Sequence, residues 1–257
     1  MDLNFDLSVK NQYRSTSQAV RVMTETWVEK KLFCPRCGQP QIKRFENNRP
    51  VADFYCPYCL NQYELKSKSG RLDKKVIDGA YDTMIERITS NENPDFILMN
   101  YSKSEHRVVD LFVVPKHFFV PQIIEKRKPL SANARRAGWV GCNIVIENIP
   151  MQGRIEVIKN GVENEASTVV EKVKKSALLE KRDINARGWL MDILNCVNQM
   201  KTEVFSLADI YAFEEQLFEK HSQNHNIRPK IRQQLQYLRD KGFIEFLDNG
   251  KYKKHGN

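Results

Sequence analysis

The spacing of hydrophobic residues changes several times along the chain, and each change predicts a different element. Residues 15–32 begin with Ser and Thr and then place Met23 and Trp27 four residues apart, which is helical spacing. Strands are predicted over YELKS (63–67), PDFILMNYS (94–102) and RVVDLFVVP (107–115), and further helices over 74–88 and 167–182. Helices interleaved with strands predict a mixed α/β (α+β) domain over residues 1–180.

From residue 181 onward the pattern is that of three amphipathic helices followed by a hairpin. The helices are predicted over 188–200, 205–221 and 228–242, and the hairpin over 243–254. Ser206, with Asp209 three residues later, is a variant of the capping box that begins the second helix. Asn249-Gly250 predicts a two-residue turn in the hairpin. Three helices and a terminal hairpin are typical of a winged helix, so we predict a small winged-helix DNA-binding domain over residues 181–257.

Charge adds an expectation about the partner. The 257 residues carry 41 Lys and Arg against 32 Asp and Glu, a net charge of +9, and this excess favours a polyanion such as nucleic acid. The sequence has no apolar stretch near the roughly 20 residues that a membrane helix needs. Its start, MDLNFDLSVK, lacks the basic and apolar regions of a signal peptide. We therefore expect a cytoplasmic protein, not bound to a membrane, whose six cysteines are reduced.

Four of the cysteines have the spacing of a metal site. They form C-x2-C, 18 intervening residues, and a second C-x2-C. Four thiolates from two tight turns can close a tetrahedral shell around Zn2+, and a closed shell is structural and not catalytic. The predicted zinc ligands are Cys34, Cys37, Cys56 and Cys59. The alternative is four unrelated buried thiols, and the remaining Cys142 and Cys196 are predicted to be core residues.

An acidic residue and a Glu-x-Lys pair lie on either side of the second cysteine pair. Because alternate residues of a strand share a face, Glu64 and Lys66 point the same way on the predicted strand. If VADFY (51–55) and QYELK (62–66) are the arms of a hairpin, symmetric pairing about its tip sets Asp53 opposite Glu64. Glu-x-Lys alone is weak evidence, because the same spacing occurs elsewhere in the chain in an ordinary helical context.

Asp53, Glu64 and Lys66 are chemically suited to a magnesium-dependent site. Two carboxylates so close repel each other unless a divalent cation lies between them. Few, hard oxygen ligands suit Mg2+, which keeps several waters and bridges to a phosphate. A lysine beside them can orient the attacking water and offset the charge that grows on the phosphate. The three residues therefore indicate phosphodiester hydrolysis, and the alternative is a solvated surface hairpin with scattered charges.

Several segments carry a more specific resemblance. FENNRPVADFYC (45–56), followed by ELKSKSG (64–70), resembles the core of the PD-(D/E)xK nucleases. Together with KRKPL (126–130), ARRAGWVGCNI (134–144) and IRQQLQ (231–236), it extends to an end-to-end resemblance to the DpnI-like, methyl-directed type IIM restriction endonucleases. The resemblance implies a PD-(D/E)xK nuclease core with a four-cysteine zinc-binding insertion, followed by the winged helix. The implied activity is that of a type II site-specific deoxyribonuclease of a bacterial restriction system, which cuts double-stranded DNA at 5'-GATC-3' carrying N6-methyladenine.

The resemblance also implies roles for individual residues. Asp53 and Glu64 would hold Mg2+ together with the Leu65 carbonyl, and Lys66 would be the catalytic lysine. We expect a monomer in solution, in the bacterial cytoplasm, with methylated double-stranded DNA as its partner.

The third C-terminal helix and the wing are predicted to contact DNA, and the resemblance implies that the loop with Arg135, Arg136 and Trp139 lies on the DNA surface of the nuclease domain. A lone Trp is otherwise more often a core residue than a DNA-reading one. In the third C-terminal helix Ile231, Leu235 and Leu238 share one face and should pack inward, which leaves the polar side chains outside. Gln can read adenine and Arg or Lys can read guanine in the major groove, whereas wing lysines usually meet phosphates. The predicted DNA contacts are Arg135, Arg136, Trp139, Arg228, Lys230, Gln233, Gln234, Tyr237, Lys251 and Lys253. The alternative is a solvated helix, or a winged helix that serves protein contacts.

A methyl group gives a single pocket only about 1–3 kcal/mol of discrimination. Two domains that each read the methylated site would add their free energies, so we expect both domains to take part. Two other functions fit part of the sequence. A transcription regulator with a zinc ribbon and a winged helix explains the cysteines and the charge but gives no role to Asp53, Glu64 and Lys66. A zinc-supported nuclease with a histidine base is disfavoured, because all five histidines lie far along the chain from the cysteines.

Overall fold

The computed structural model describes residues 1–13, 15–46, 52–72, 74–90, 93–181 and 183–255. Residues 47–51, part of the segment FENNRPVADFYC, lie outside these ranges. The helices are α1 (Thr16–Lys31), α2 (Tyr81–Thr89), α3 (Ala166–Ala177), α4 (Ile184–Gln199), α5 (Leu207–Tyr211), α6 (Glu214–Lys220) and α7 (Ile227–Asp240). The strands are β1 (Lys43–Arg44), β2 (Phe54–Tyr55), β3 (Gln62–Ser69), β4 (Lys75–Ala80), β5 (Asp95–Ser102), β6 (Arg107–Val114), β7 (Ile124–Lys126), β8 (Gly141–Val145), β9 (Ile155–Lys159), β10 (Val162–Glu163), β11 (Val204–Ser206), β12 (Ile244–Phe246) and β13 (Lys251–Lys254).

Seven of the described strands form one sheet, in the order β1-β2-β3-β5-β6-β9-β10. β5 lies in the middle and is buried along almost its whole length, because α1 and α3 cover one face of the sheet and α2 and α4 the other. β3 and β5 are parallel, with Glu64 beside Phe96 and Lys66 beside Leu98. The predicted mixed α/β architecture is confirmed.

The helix predicted over residues 74–88 is wrong in its first half. Lys75–Ala80 is strand β4, which pairs antiparallel with β8 in a second, three-stranded sheet of order β4-β8-β7. Helix α2 begins only at Tyr81. β-branched Val76 and Ile77 and the following Gly79 are poor helix formers, and the pairing partner β8 lies more than sixty residues further along the chain.

The C-terminal part contains the predicted helices with one break. The segment 205–221 is not a single helix, because α5 ends at Tyr211 and α6 begins at Glu214. Between them Phe213 packs against the hydrophobic core, which turns the chain. The capping box is confirmed, since Ser206 and Asp209 each accept a hydrogen bond from the backbone of the other.

The terminal hairpin is part of a three-stranded sheet of order β11-β13-β12, and β11 is an element that the hydrophobic pattern did not predict. The turn differs from the predicted two-residue loop. Leu247 donates to the Lys251 carbonyl at 2.7 Å, so three residues lie between the paired positions. Asn249 and Gly250 take φ values of 59° and 69°, the left-handed region that Asn and Gly tolerate best.

One hydrophobic core continues from the N-terminal part into the C-terminal helices. Leu190 and Ile193 of α4 are buried in the same cluster as Phe119 and Ile149. The predicted domain division between residues 180 and 181 stays a prediction. Cys142 and Cys196 are buried, as predicted for core residues. None of the helices in the described ranges has the length and apolar character required to cross a membrane.

Candidate active site and metal centre

The hairpin formed by β2 and β3 has the predicted register. Phe54 pairs with Tyr63 and Tyr55 with Gln62, and the Asp53 N–H donates to the Tyr63 carbonyl at 2.9 Å. Tyr63 therefore faces both Phe54 and Asp53, so the regular ladder stops at Phe54, and the pairing of Asp53 with Glu64 that symmetric continuation predicts is not formed. The alternation of a strand then puts Tyr63 into the core, where it is fully buried, and turns Glu64 to the other face.

Two turns of the same geometry form the tip of the hairpin and the segment that packs against it. Gly38 donates to the Cys34 carbonyl at 2.8 Å, and Leu60 donates to the Cys56 carbonyl at 2.9 Å. Gly38 and Leu60 both have a positive φ, of 80° and 59°. Repetition of one backbone geometry at both C-x2-C pairs aims four thiols at a common point.

The four thiols form what we call the cysteine cluster, made of Cys34, Cys37, Cys56 and Cys59. Their sulfur atoms all lie within 4.8 Å of one another. The Cys34–Cys59 and Cys37–Cys56 sulfur distances are 3.7 Å and 3.6 Å. A tetrahedral zinc with Zn–S bonds of about 2.3 Å separates its sulfurs by about 3.8 Å, so the cluster fits a four-thiolate zinc site.

Beside the hairpin lies a cavity of about 320 Å³. Its lining residues are Arg21, Thr24, Glu25, Asp53, Glu64, Leu65, Lys66, Ser67, Val76 and Ile77. The three residues predicted to be catalytic, Asp53, Glu64 and Lys66, therefore meet in one cavity, and we call them the acid–lysine cluster. The Lys66 Nζ lies 2.6 Å from Glu64 Oε1, and Asp53 Oδ2 accepts a hydrogen bond from the Leu65 N–H at 2.8 Å.

Glu64 and Lys66 are held in a network of charges away from bulk water. Glu64 is 8% exposed, and its second oxygen, Oε2, contacts the guanidinium of Arg87 on α2. Burial raises the pKa of Glu64, and the positive charges of Lys66 and Arg87 oppose that rise. For Lys66, burial favours the neutral amine, but Glu64 and Asp78 outweigh it, so the pKa of Lys66 is raised and the ammonium is favoured.

Three charged residues of this region were missed by the sequence patterns. Asp78 on β4 contacts Lys66, and Arg87 on α2 contacts Glu64. Glu25 on α1 lines the cavity and is paired with Arg21 at 2.6 Å. Arg87 and Glu25 carry no local motif, and Asp78 was assigned to a helix. Position 25 lies two residues from the buried Met23 and Trp27, which is the opposite side of a regular helix, so the helical pattern gave no signal that Glu25 is buried.

Helix α7 buries Ile231, Leu235 and Leu238 as predicted. The prediction that Gln234 projects outward is wrong, since it is 1% exposed and accepts a hydrogen bond from Lys181 at 3.2 Å. Position 234 is three residues after 231 and four before 238, so it lies on the apolar stripe of the helix. Tyr237 is also turned towards the protein, because its hydroxyl donates to the Leu178 carbonyl at 3.0 Å.

The other predicted DNA contacts of this part remain accessible to different degrees. Arg228 is exposed and bonds Glu214 at 2.8 Å, and Lys230 is half-buried with its ammonium 6.0 Å from the centre of a Trp189 ring. Gln233, Lys251 and Lys253 are exposed.

The loop over residues 127–140 joins β7 to β8, and we call it the arginine loop. Arg135 and Arg136 are exposed there, and the Arg136 guanidinium lies 4.7 Å from the centre of the half-buried Trp139 ring. Gly141 lets this ring approach the backbone, since a Cβ at Gly141 would meet a Trp139 ring carbon at 2.8 Å. The loop thus presents two cations and one aromatic ring together.

Comparison with known families gives two matches along the chain. Residues 1–182 match DpnI, described as the Dam-replacing family, and residues 185–254 match DpnI_C, described as the Dam-replacing HTH domain. The first match contains the cysteine cluster and the acid–lysine cluster, and the second contains nearly all of α4 to β13. The resemblance found in the sequence is confirmed at the level of the family and of its C-terminal DNA-binding domain.

Proposed function

The chain belongs to the Dam-replacing (DpnI) family of restriction endonucleases, which carry a C-terminal helix-turn-helix domain, and from this premise we propose that it is a methyl-directed type II site-specific deoxyribonuclease. It hydrolyses phosphodiester bonds of double-stranded DNA at 5'-G(m6A)TC-3' and depends on Mg2+. In this proposal the N-terminal part is a PD-(D/E)xK nuclease core, and the protein acts as a monomer on bacterial DNA in the cytoplasm.

The observation that carries the proposal is the meeting of Asp53, Glu64 and Lys66 in one cavity of about 320 Å³. Two carboxylates and a backbone carbonyl are the hard oxygen donors that Mg2+ prefers. The hydrogen bond from Leu65 to Asp53 brings the Leu65 backbone beside the carboxylates, so Asp53, Glu64 and the Leu65 carbonyl would hold the ion. When bound, Mg2+ polarises the phosphate and lowers the pKa of a bound water.

The residues of the chain contribute to the reaction by positioning the reacting groups and by supplying a positive charge near the phosphate. The Lys66 ammonium, held 2.6 Å from Glu64, would donate hydrogen bonds to the attacking water and to a non-bridging phosphate oxygen. Its charge offsets the negative charge that develops on the phosphate. Because Lys66 is largely buried, it acts where water screens charges little.

The cysteine cluster supports this arrangement from the hairpin tip. Cys56 and Cys59 lie at the tip, and Cys34 and Cys37 follow α1. Zinc bound by all four would tie α1 to the hairpin and so fix Asp53 relative to Glu64. Since four thiolates leave no open coordination position, zinc takes no part in the chemistry.

DNA recognition is proposed for both parts of the chain. In the C-terminal domain Lys251 and Lys253 meet backbone phosphates, while Arg228, Lys230 and Gln233 face the groove. Gln234 and Tyr237 are turned inward and do not reach DNA in this conformation. In the N-terminal part Arg135, Arg136 and Trp139 of the arginine loop contact the site. Each part contributes about 1–3 kcal/mol of methyl discrimination.

The proposal is tested by incubating the protein and Mg2+ with two plasmids that differ only in adenine methylation at GATC. We expect the methylated plasmid alone to be cut, and a Lys66→Ala variant to lose cutting. Lys103→Ala, in the exposed turn between β5 and β6, serves as the matched control. Binding without cutting of either plasmid would favour the DNA-binding regulator, and equal cutting of both would overturn the methyl-directed activity.

A further inference from the structure

Asp78 is a carboxylate outside the acid–lysine cluster that nevertheless touches it. Its Oδ1 contacts the Lys66 ammonium, and its side chain is 8% exposed. The same oxygen accepts a hydrogen bond from the Gly79 N–H at 2.6 Å. β4 has a bulge between Asp78 and Ala80, where its register with β8 shifts. A bulge redirects a side chain out of the regular alternation of a strand, and here it accompanies a carboxylate aimed at Lys66.

The position of Asp78 separates it from the proposed metal ligands. Among the described residues that line the cavity, Val76 and Ile77 come from β4, and Asp78 is not one of them. Its contact with a residue of the acid–lysine cluster is the ion pair with Lys66. A group that acts through another is a positioning residue.

The strand that carries Asp78 leads directly to a contact with the arginine loop, made by Tyr81 just after the strand ends. Asp78 is paired with Cys142 and Ala80 with Gly141, and the Tyr81 N–H donates to the Val140 carbonyl at 3.1 Å. The loop ends at residue 140, so only a few residues of paired backbone lie between the loop and Asp78. Asp78 therefore links two parts of the protein. Its side chain contacts Lys66 in the large sheet, and its backbone pairs with β8, the strand that follows the arginine loop.

A physical reason for this contact is that the Lys66 ammonium and a bound divalent cation would compete for the Glu64 carboxylate. Lys66 has two carboxylate partners, Glu64 and Asp78. A divalent cation held by Glu64 would repel the ammonium, because both cations share one carboxylate. Lys66 would then keep Asp78 as its carboxylate partner, and the negative charge of Asp78 would offset this repulsion.

We infer that Asp78 is the positioning residue of Lys66 and that it ties the placement of this lysine to the sheet bearing the arginine loop. The inference rests on the proposed function for its catalytic consequence. The ion pair itself belongs to the free protein and can be measured without metal or DNA.

The kinetic test compares Asp78→Asn with Asp82→Asn, an exposed residue four positions further on that undergoes the same change of charge. We expect Asp78→Asn to lower kcat on a methylated duplex by about 10- to 100-fold, as expected for a displaced catalytic group. KM and the affinity for the duplex without metal should change by less than about 2-fold. Asp78→Glu should recover part of kcat, and Asp82→Asn should match the unaltered protein.

The second test is a double-mutant cycle on unfolding, with no metal or DNA present. Asp78→Asn should lower the urea midpoint when Lys66 is present, because it removes a buried ion pair. In a Lys66→Met background the same change should leave the midpoint unchanged or raise it, since the carboxylate has lost its cation. Equal downward shifts in both backgrounds would overturn the contact.

The possible failures are distinguishable. If the unaltered protein cuts and Asp78→Asn cuts with the same kcat, the inference is wrong and the proposed function stands. A loss in DNA affinity as large as the loss in kcat would also overturn it, since Asp78 would then serve DNA binding. If the unaltered protein cuts no plasmid, the proposed function fails, while the unfolding cycle still decides the Asp78–Lys66 pair.

Discussion

Asp53 Oδ2 accepts a hydrogen bond from the backbone N–H of Leu65 at 2.8 Å, across the two arms of the hairpin. Leu65 lies between Glu64 and Lys66, so this one bond fixes the Asp53 carboxylate beside both members of the Glu-x-Lys pair. It also satisfies a backbone donor of β3 at a level where β2, which begins at Phe54, supplies no backbone partner.

Asp53→Asn should therefore remove a negative charge from the site and leave the backbone conformation of the hairpin unchanged. The amide oxygen of Asn can still accept from Leu65, so the hairpin should persist, but the site loses a charge that holds Mg2+. We expect cleavage of methylated plasmid to fall by about 100-fold or more, with little change in the urea midpoint. Asp82→Asn is the control. Cleavage by Asp53→Asn at the original rate would remove Asp53 from the proposed metal site.

Cys37→Ser should remove zinc and weaken the hairpin. A serine hydroxyl is a poor replacement for a thiolate, and zinc binding is coupled to folding. We expect bound zinc, measured by elemental analysis, to be lost and the free energy of unfolding to fall by roughly 3 kcal/mol or more. Cleavage should fall with it, because the tip that holds Asp53 against Glu64 is no longer tied to α1.

The control for this change is Cys196→Ser, a buried thiol of α4 outside the cysteine cluster. It should keep its zinc even if it is less stable. Full zinc content in Cys37→Ser would contradict a four-thiolate site.

His117 should make the protein less stable in mild acid. It is 4% exposed, its Nε2 has no hydrogen-bond partner among the described residues, and burial lowers its pKa to about 3. In the unfolded chain a histidine has a pKa of about 6.5. The unfolded state therefore binds a proton that the folded state does not, and stability is lost as the pH falls below about 6.5, by about 2 kcal/mol at pH 5.

Urea unfolding between about pH 7 and pH 5 measures this loss, in a range above the ordinary pKa of carboxyl groups. His117→Gln should flatten the dependence, whatever its stability at neutral pH. His225→Gln, at an exposed histidine, should leave the dependence as it is. An unchanged slope in His117→Gln would show that His117 is not the group responsible.

Lys253→Ala should weaken DNA binding without changing its sequence preference. Lys253 is exposed on β13, in the wing of the C-terminal domain. Loss of one phosphate contact should reduce the slope of log affinity against log salt concentration by about 0.9. The loss should be the same for methylated and unmethylated duplexes. Lys172→Ala, on the exposed side of α3, is the control, and a loss confined to methylated DNA would instead assign Lys253 to site reading.

The hairpin and the cysteine cluster could be predicted because their determinants are local. The two C-x2-C turns repeat one local backbone geometry, and pairing symmetric about the tip correctly predicted that Phe54 pairs with Tyr63 and that Asp53 comes near Glu64. The helical stripe of α7 was equally readable for Ile231, Leu235 and Leu238. Gln234 lies on the same stripe, at its edge, and the structure buries it there with a hydrogen bond from Lys181 although its polar side chain was predicted to project outward.

The partners of Lys66 and Glu64 depend on contacts between distant segments. Asp78 reaches Lys66 because Lys75–Ala80 is a strand, and it is a strand because β8 offers hydrogen bonds to it. Arg87 reaches Glu64 because the short helix that follows packs on the same face of the large sheet. Neither residue belongs to a motif.

The sequence by itself determined the family, the mixed α/β class, the four-cysteine pattern and the order in which acid, acid and lysine follow one another. These are properties of composition, period and spacing within short segments, where the backbone has few ways to form its hydrogen bonds. Only the tertiary structure decided which charges surround the acid–lysine cluster and which side of α7 is covered. Those outcomes follow from the burial of apolar surface over the whole chain, which brings together residues that no local pattern links.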